Sequence, residues 1–183
     1  MVPLNTVFWG LVIIFGLIGA LRGWAKEIIV SFTVLLAMFI QQVFGDILGS
    51  SGGAVYLPPL LPPQASYSKV QFWVCVGLLL MLTFFGYAGP TLATRAGAKI
   101  AREHLQDALL GFFLGLLNGY LIFGMVWFYL HSSNYIIGGI QPPAENSAAL
   151  VMATRYLPPL WISEPLLYVS IALAFVFVII VFV

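Results

Sequence analysis

The chain has 183 residues, of which 62% are hydrophobic and 7% are charged, and its formal net charge is +1. A water-soluble domain usually carries about 25% charged residues, so this composition excludes a surface that faces only water. The near-neutral balance offers no basic field for a nucleic-acid partner. The single cysteine excludes an intrachain disulfide, and no Cys/His cluster with zinc-ligand spacing is present.

Five continuous apolar stretches are long enough to cross about 30 Å of hydrocarbon as helices, which takes about 17–25 residues each. They occupy residues 4–21, 28–44, 70–88, 108–130 and 166–183. Membrane β-strands would alternate in polarity over about ten residues, whereas these stretches do not alternate. The sequence therefore predicts an all-α integral membrane protein, a bundle of about five transmembrane helices.

The basic residues predict how this bundle is oriented. Five of the seven lie in the first and third connections, and two lie elsewhere: Arg22, Lys26, Arg95, Lys99 and Arg102 against Lys69 and Arg155. Because Lys and Arg favour cytoplasmic connections, we expect the N-terminus outside and the C-terminus in the cytoplasm. The last stretch ends without a polar flank, so we also expect a further polar tail after Val183.

The pentapeptide YLPPL occurs twice, at residues 56–60 and 156–160. Both copies lie in connections predicted to face outward, residues 45–69 and 131–165. Paired prolines disfavour helix there and favour extended or turned backbone. Two interpretations are open: a weak parallel internal repeat, or two stiff apolar turns whose tyrosines rest at the membrane interface.

Glycines recur at helical spacing on two of the predicted spans. Gly16, Gly19 and Gly23 form one ridge, and Gly111, Gly115 and Gly119 form another. Small residues spaced by four let membrane helices approach closely, so both ridges predict helix packing. Asn118 is strongly polar in mid-span and should face another helix. The spans show no mid-membrane charge, which weighs against a proton-coupled pump or ion carrier.

Two of these segments resemble the colicin V production protein (CvpA) family. The first is LRGWAKE at residues 21–27, with Arg22, Gly23, Lys26 and Glu27 in the family's pattern. The second begins at Asp107 and continues through the three glycines of the fourth span, although Ala108 and Asn118 stand where the family has arginines. The resemblance covers residues 1–130, so residues 131–165 are interpreted as an extracytoplasmic Pro/Gly-rich loop and 166–183 as an additional helix.

The resemblance implies a four-helix protein of the bacterial inner membrane, with roles in colicin V production and envelope homeostasis. It implies no established reaction and no cofactor. The two missing arginines put in doubt any charge-based mechanism that relies on them.

The remaining polar residues have simple interpretations. Arg22, Lys26 and Glu27 lie in a tight cytoplasmic connection, where Glu27 pairs with one of the two cations. These residues are interpreted as a topology anchor, with a functional ion site as the alternative. Arg95, Lys99 and Arg102 share one face of an amphipathic interfacial helix that binds anionic lipid headgroups, with partner docking as the alternative. His131 ends the fourth span and is a weak candidate ligand for a haem or pigment metal.

Three functions remain open. We favour a non-enzymatic CvpA-like membrane protein that acts through helix–helix contacts with membrane partners. The second is an accessory subunit of a large electron-transfer or light-harvesting complex, and the third is an oligomeric small-solute channel or transporter. The expected partners are membrane lipids and other membrane subunits, including further copies of the chain.

Overall fold

The structure, a computed structural model, describes residues 3–50, 60, 67–88 and 101–182, and every element in these segments is helical. The helices are α1 (Leu4–Arg22), α2 (Trp24–Ser50), α3 (Lys69–Ala88), α4 (Ala101–Ser132), α5 (Ala148–Val151), α6 (Pro158–Trp161) and α7 (Glu164–Phe182). A π-helical turn, Met152–Tyr156, follows α5. The predicted all-α class is therefore confirmed.

Four helices have the length and apolar composition needed to cross a membrane. They are α1 over Leu4–Arg22, α2 over Trp24–Gly45, α3 over Lys69–Ala88 and α4 over Leu105–Ser132. In α7, the stretch Glu164–Phe177 is apolar but shorter. The fifth span and the orientation of the bundle stay predictions.

A single glycine separates α1 from α2. Gly23 has φ 85°, a left-handed conformation that glycine adopts without a Cβ clash, and its N–H donates to the Gly19 carbonyl at 2.9 Å. Trp24 already belongs to α2. The predicted connection is thus a single residue, at which the chain turns, and the end of α1 lies next to the start of α2.

Helix α4 lies at the centre of the bundle, against α1 on one side and α2 on the other. Helix α2 also packs on α3 and α7. The antiparallel course of α7 along α2 is visible in the ring pairs Phe32–Phe177 and Phe39–Tyr168, at 5.4 and 5.8 Å. The core between α2, α3 and α4 includes Val34, Met38, Leu79 and Met125, all fully buried.

The second YLPPL copy does not stay above the bundle but packs down along α4. Leu157, Pro158 and Pro159 are buried, and a Cβ added at Gly124 would lie 2.8 Å from the Pro158 ring carbon Cγ. Gly124 lies eight residues before Ser132, so the segment reaches roughly 12 Å down the helix from its end. Trp161 donates its indole N–H to the Tyr120 hydroxyl at 3.0 Å.

Several predicted features fall outside the described residues. Of the first YLPPL copy only Leu60 is described, and it is fully buried, so the repeat hypothesis stays open. Arg95 and Lys99 of the predicted interfacial helix are likewise outside. Arg102 belongs to the first turn of α4.

Candidate functional site: a buried polar set at the α1–α2 junction

The two glycine ridges lie face to face between α1 and α4. A Cβ at Gly19 would overlap the Gly111 carbonyl oxygen and come 2.8 Å from the Gly115 Cα. A Cβ at Gly119 would lie 2.8 Å from the Phe15 Cβ. The backbones therefore touch directly, which only glycine permits at these positions. Both ridges therefore contact each other within the chain and do not lie on its outer surface.

Further along α1, Gly16 packs under the Leu116 side chain, where an added Cβ would lie 2.7 Å from Cδ2. At the end of the ridge, Gly23 packs against Asp107, with 2.8 Å from an added Cβ to Oδ2. All six predicted packing glycines thus lie in one interface.

Asp107 caps the start of α2 from a different helix. Its Oδ1 accepts the backbone N–H of Trp24 at 3.1 Å. The first N–H groups of a helix lack partners within the helix and carry the positive end of its dipole. A carboxylate there satisfies one donor and stabilises the helix terminus.

Glu27 lies one turn into α2 and is fully buried, with 0% of its surface exposed. Its Oε1 accepts from the Arg22 guanidinium at 3.2 Å, an ion pair. Its Oε2 accepts from the Asn118 amide at 2.9 Å and from the Tyr87 hydroxyl at 3.4 Å. Both carboxylate oxygens are therefore held by groups from α1, α3 and α4.

Asn118 joins α4 to α2 through both ends of its amide. Its N–H₂ group donates to the Glu27 backbone carbonyl at 2.8 Å, besides the carboxylate. Its Oδ1 accepts from the Ser31 hydroxyl at 2.6 Å. The polar side chain in the middle of α4 therefore faces α2, where Ser31 lies one helical turn after Glu27.

Arg22 closes the set against α3. It donates to the Tyr87 backbone carbonyl at 3.1 Å, and its Cζ lies 4.1 Å from the centre of the Tyr87 ring. The Arg22 side chain is 22% exposed, so the guanidinium reaches the edge of the bundle while its partner does not. We call Arg22, Glu27, Ser31, Tyr87 and Asn118 the junction set.

The structure differs here from the sequence interpretation. Glu27 belongs to α2 and is buried, whereas the sequence placed it in a cytoplasmic connection. Of the two candidate cations, Arg22 forms the ion pair, and Lys26 is half-buried beside it. Glu27 lies in the first turn of α2, so it is a buried charge near the end of a span and not in mid-span. The signal available in the sequence was the four-residue spacing of Glu27 and Ser31.

A second group of polar residues lies near the other ends of α2 and α4. We call Gln41, Gln42, Tyr67, Tyr129 and Glu164 the distal set. The Tyr129 hydroxyl donates to Gln41 Oε1 at 2.5 Å, and Gln41 Nε2 lies 3.5 Å from the Tyr67 hydroxyl. The two tyrosine rings stack at 6.3 Å. Next to them, Gln42 donates to Glu164 at the start of α7 at 3.1 Å. Burial raises the pKa of Tyr67 well above its ordinary value, so this hydroxyl stays protonated.

His131, the candidate metal ligand, contacts a tyrosine instead. Its Nδ1 lies 3.3 Å from the Tyr135 hydroxyl, which also accepts from the Trp127 indole at 3.3 Å. Among the residues whose positions are described, no three His, Cys, Asp or Glu side chains come together to hold a metal.

Comparison with known proteins supplies the family. Neither the curated proteins nor the solved structures contain a match. The family model described as colicin V production protein matches residues 4–158. The match runs past residue 130, so it includes most of the segment that folds back along α4, and the residues after 158 lie beyond it. This match takes in well over half of the sequence, and the chain belongs to the colicin V production protein family.

Proposed function

We propose that this protein acts in the bacterial inner membrane without enzymatic chemistry, by binding other membrane proteins through an outward face of its helix bundle. The family supports a role connected with colicin V production. Among the described residues, internal contacts occupy the α1–α4 ridges and the junction set, which supports looking for the partner site on an outward face.

The junction set supports a non-enzymatic role. Its carboxylate, amide and guanidinium groups bind one another, across four helices, in a closed arrangement. A catalytic site needs a nucleophile or base directed at a space where a substrate can sit. Glu27 and Asn118 are instead directed at each other, which is the arrangement of a structural lock.

The partner proposal rests on the surroundings of Gly77 on α3. Most glycines within the described helices pack against a neighbouring helix, but a Cβ at Gly77 would meet nothing within 4 Å. Trp73, Leu80 and Phe84 lie on the same outward stripe and are exposed. A small residue between large apolar ones forms a notch that suits a second transmembrane helix. We call these four residues the α3 stripe.

The proposal is tested by placing a larger side chain at Gly77. We expect Gly77→Leu to abolish co-migration of partners in a native gel of mild-detergent extracts, with partners identified by mass spectrometry. Gly10→Leu is the matched control, because Gly10 on α1 also faces outward with no neighbour within 4 Å. Unchanged complexes in Gly77→Leu would overturn the proposal. Partners that carry haem, quinone or pigment would favour the accessory-subunit alternative.

A further inference from the structure

The segment that joins α5 to α7 enters the apolar layer that α1 defines. Helix α1 has 19 residues and is about 28 Å long, close to the hydrocarbon thickness of about 30 Å, so its first residue, Leu4, marks one boundary of that layer. A Cβ added at Gly124 would lie 2.8 Å from the Pro158 Cγ and 3.9 Å from the Phe8 Cε2. Phe8 is four residues, or about 6 Å, beyond Leu4. Pro158 therefore lies inside the apolar layer.

The backbone of Tyr156 lies at a similar depth. A Cβ added at Gly119 would lie 3.0 Å from the Val12 Cα, and Val12 is eight residues, or about 12 Å, beyond the start of α1. The next residue on α4, Tyr120, donates its hydroxyl hydrogen to the Tyr156 carbonyl. The π-helical turn ends at Tyr156, so this carbonyl lies among the groups that a helix leaves without an internal partner. Lipid chains offer no donor, and the hydrogen bond from α4 satisfies the carbonyl in their place.

Arg155 is the one charged residue of the stretch 148–161. It is exposed, and among the described residues its side chain forms no ion pair and no hydrogen bond. Its backbone adjoins Tyr156, so it starts from inside the apolar layer. A charged side chain there is costly unless it pairs with an opposite charge or extends to the headgroups. Arg155 therefore requires an anionic partner that the described part of the chain does not supply.

The phosphate of a phospholipid in the same leaflet fits this requirement. A long arginine side chain extends from the edge of the hydrocarbon to the headgroup level, and its guanidinium binds phosphate through two parallel hydrogen bonds. A free phosphate ion would have to leave water to reach this position, whereas a lipid phosphate is already held there by its acyl chains. An anionic lipid is favoured over a zwitterionic one, because Arg155 has no acidic neighbour among the described residues that would bind an ammonium group.

Exposed apolar and aromatic side chains surround Arg155. Tyr156 and Trp161 are 55% and 49% exposed, and Val151, four residues before Arg155, is 43% exposed. The Tyr120 hydroxyl accepts from the Trp161 indole at 3.0 Å and donates to the Tyr156 carbonyl, so one α4 residue holds both ends of this turn. Amphipathic aromatic rings are typical of positions between acyl chains and headgroups. The segment thus presents one cation and an apolar rim to the lipid.

We propose that Arg155 binds the phosphate of an anionic phospholipid, with the acyl chains against Val151, Tyr156 and Trp161. The lipid belongs to the leaflet at the Ser132 end of the bundle, which the distribution of basic residues predicts to be the outer leaflet. This site lies on a different part of the molecule from the α3 stripe, and the inference does not depend on the partner-binding role.

Lipid titration followed by native mass spectrometry tests the site on the purified protein in detergent. The two probes are dioleoyl phosphatidylglycerol and dioleoyl phosphatidylcholine, which share the chains and the phosphate but differ in net charge. We expect wild type to bind the first phosphatidylglycerol at least about tenfold more tightly than phosphatidylcholine, because the guanidinium–phosphate pair is charge-assisted. Arg155→Gln should abolish this preference. Arg155→Lys should retain only part of it, since an ammonium keeps the charge but lacks the planar fork.

Lys69→Gln is the matched control. Lys69 is also exposed, and it belongs to the same end of the bundle, because Tyr67 donates its backbone N–H to the Ser132 carbonyl at 2.9 Å. Lys69 begins α3, however, at the edge of the span. We expect Lys69→Gln to keep the wild-type preference.

Three results would overturn the proposal. Arg155→Gln could bind phosphatidylglycerol as tightly as wild type, or Lys69→Gln could lose the preference to the same extent, which would indicate general attraction by positive charge. Excess inorganic phosphate could displace the bound lipid, which would contradict a lipid-specific site. Size exclusion establishes that each variant is folded. If Arg155→Gln does not elute as a folded protein, Arg155→Lys decides, and an affinity equal to that of wild type contradicts binding through the guanidinium.

Discussion

The two interfaces of α4 are built on opposite principles. Toward α1, glycines bring two backbones into direct contact, and the one charged group described there, Asp107, lies at the end of the ridge. Toward α2 and α3, Asn118 enters a set that contains a buried ion pair. Packing in the first interface is sensitive to volume alone, whereas the second is sensitive to charge and hydrogen bonding. Both interfaces stabilise the position of α4, but they should respond to different substitutions.

The difference has an energetic reason. Where lipid removes the hydrophobic drive, close backbone contact stabilises through dispersion, and it has no alternative arrangement of similar energy. A buried ion pair is stabilised by attraction but opposed by desolvation, so its net contribution is small and depends on protonation. We therefore expect the α1–α4 interface to be rigid and the junction set to be the part that responds to conditions.

The largest expected effect is from Gly115→Leu. A Cβ there overlaps the Phe15 carbonyl oxygen and lies 3.0 Å from the Gly19 Cα, so only separation of the helices relieves the clash. The cost exceeds the roughly 1–3 kcal/mol typical of overpacking, because backbone cannot move aside as a side chain can. Fluorescence-detected size exclusion should show little folded protein. Leu117→Val, on the lipid-facing side of α4, should elute as wild type, and equal behaviour of the two contradicts the ridge contact.

Arg22→Ala should have the next largest effect, because it leaves Glu27 charged and buried without its cation. Breaking a buried pair from one side costs about 3–5 kcal/mol. The double variant Arg22→Ala/Glu27→Gln should recover stability at neutral pH. A double variant as unstable as Arg22→Ala would show that charge is not the cause.

Asn118→Leu should have a moderate effect. It leaves the Ser31 hydroxyl with only the Glu27 backbone carbonyl, 3.2 Å away. It also removes the hydrogen bonds that the Asn118 amide donates to that carbonyl and to the Glu27 carboxylate. Unpaired buried groups cost about 1–3 kcal/mol. Thermal unfolding in detergent measures the loss, and Asn118→Asp tests it further, because a second carboxylate beside Glu27 should destabilise more than leucine. A stable Asp variant would contradict the described contact.

Much of the first interface could be predicted from the sequence, and little of the second. Glycines at intervals of three and four indicate a helix face by spacing alone, and Gly19 and Gly115 lie in contact as such ridges imply. The four-residue spacing of Glu27 and Ser31 indicates a shared helix face but not its burial, since that burial depends on α2 starting directly after the single glycine that ends α1. It also depends on Tyr87, which is 60 residues away in the chain. A contact between two single polar residues that are far apart in the chain produces no periodic pattern in the sequence.

The second YLPPL copy, which packs back along α4, is a further case in which the local sequence pattern was insufficient to predict the packing. Paired prolines predict extended or turned backbone, but Pro158 and Pro159 begin the short helix α6, and only the extended Leu157 separates it from the preceding π-helical turn. Proline suits the first positions of a helix, where its missing N–H is not needed. The pattern also does not indicate where the segment packs. Its position depends on a notch at Gly124, a glycine outside both predicted ridges. Shape complementarity of that kind becomes visible only when α4 and the segment are placed together.

The smallest expected effect concerns Asp107, which lies where the two interfaces meet. Asp107→Ala removes the acceptor for the Trp24 N–H and should cost about 1 kcal/mol, the usual value for a lost helix cap. Asp107→Asn keeps an oxygen for that N–H and loses only the charge at the start of α2, worth about 0.3–1 kcal/mol. Thermal unfolding at low and high salt separates the two contributions. The Asn deficit should shrink as salt screens the helix dipole, whereas the Ala deficit should persist. If the two variants behave alike at every salt concentration, Asp107 acts on α2 through charge alone, and the hydrogen bond to Trp24 contributes nothing measurable.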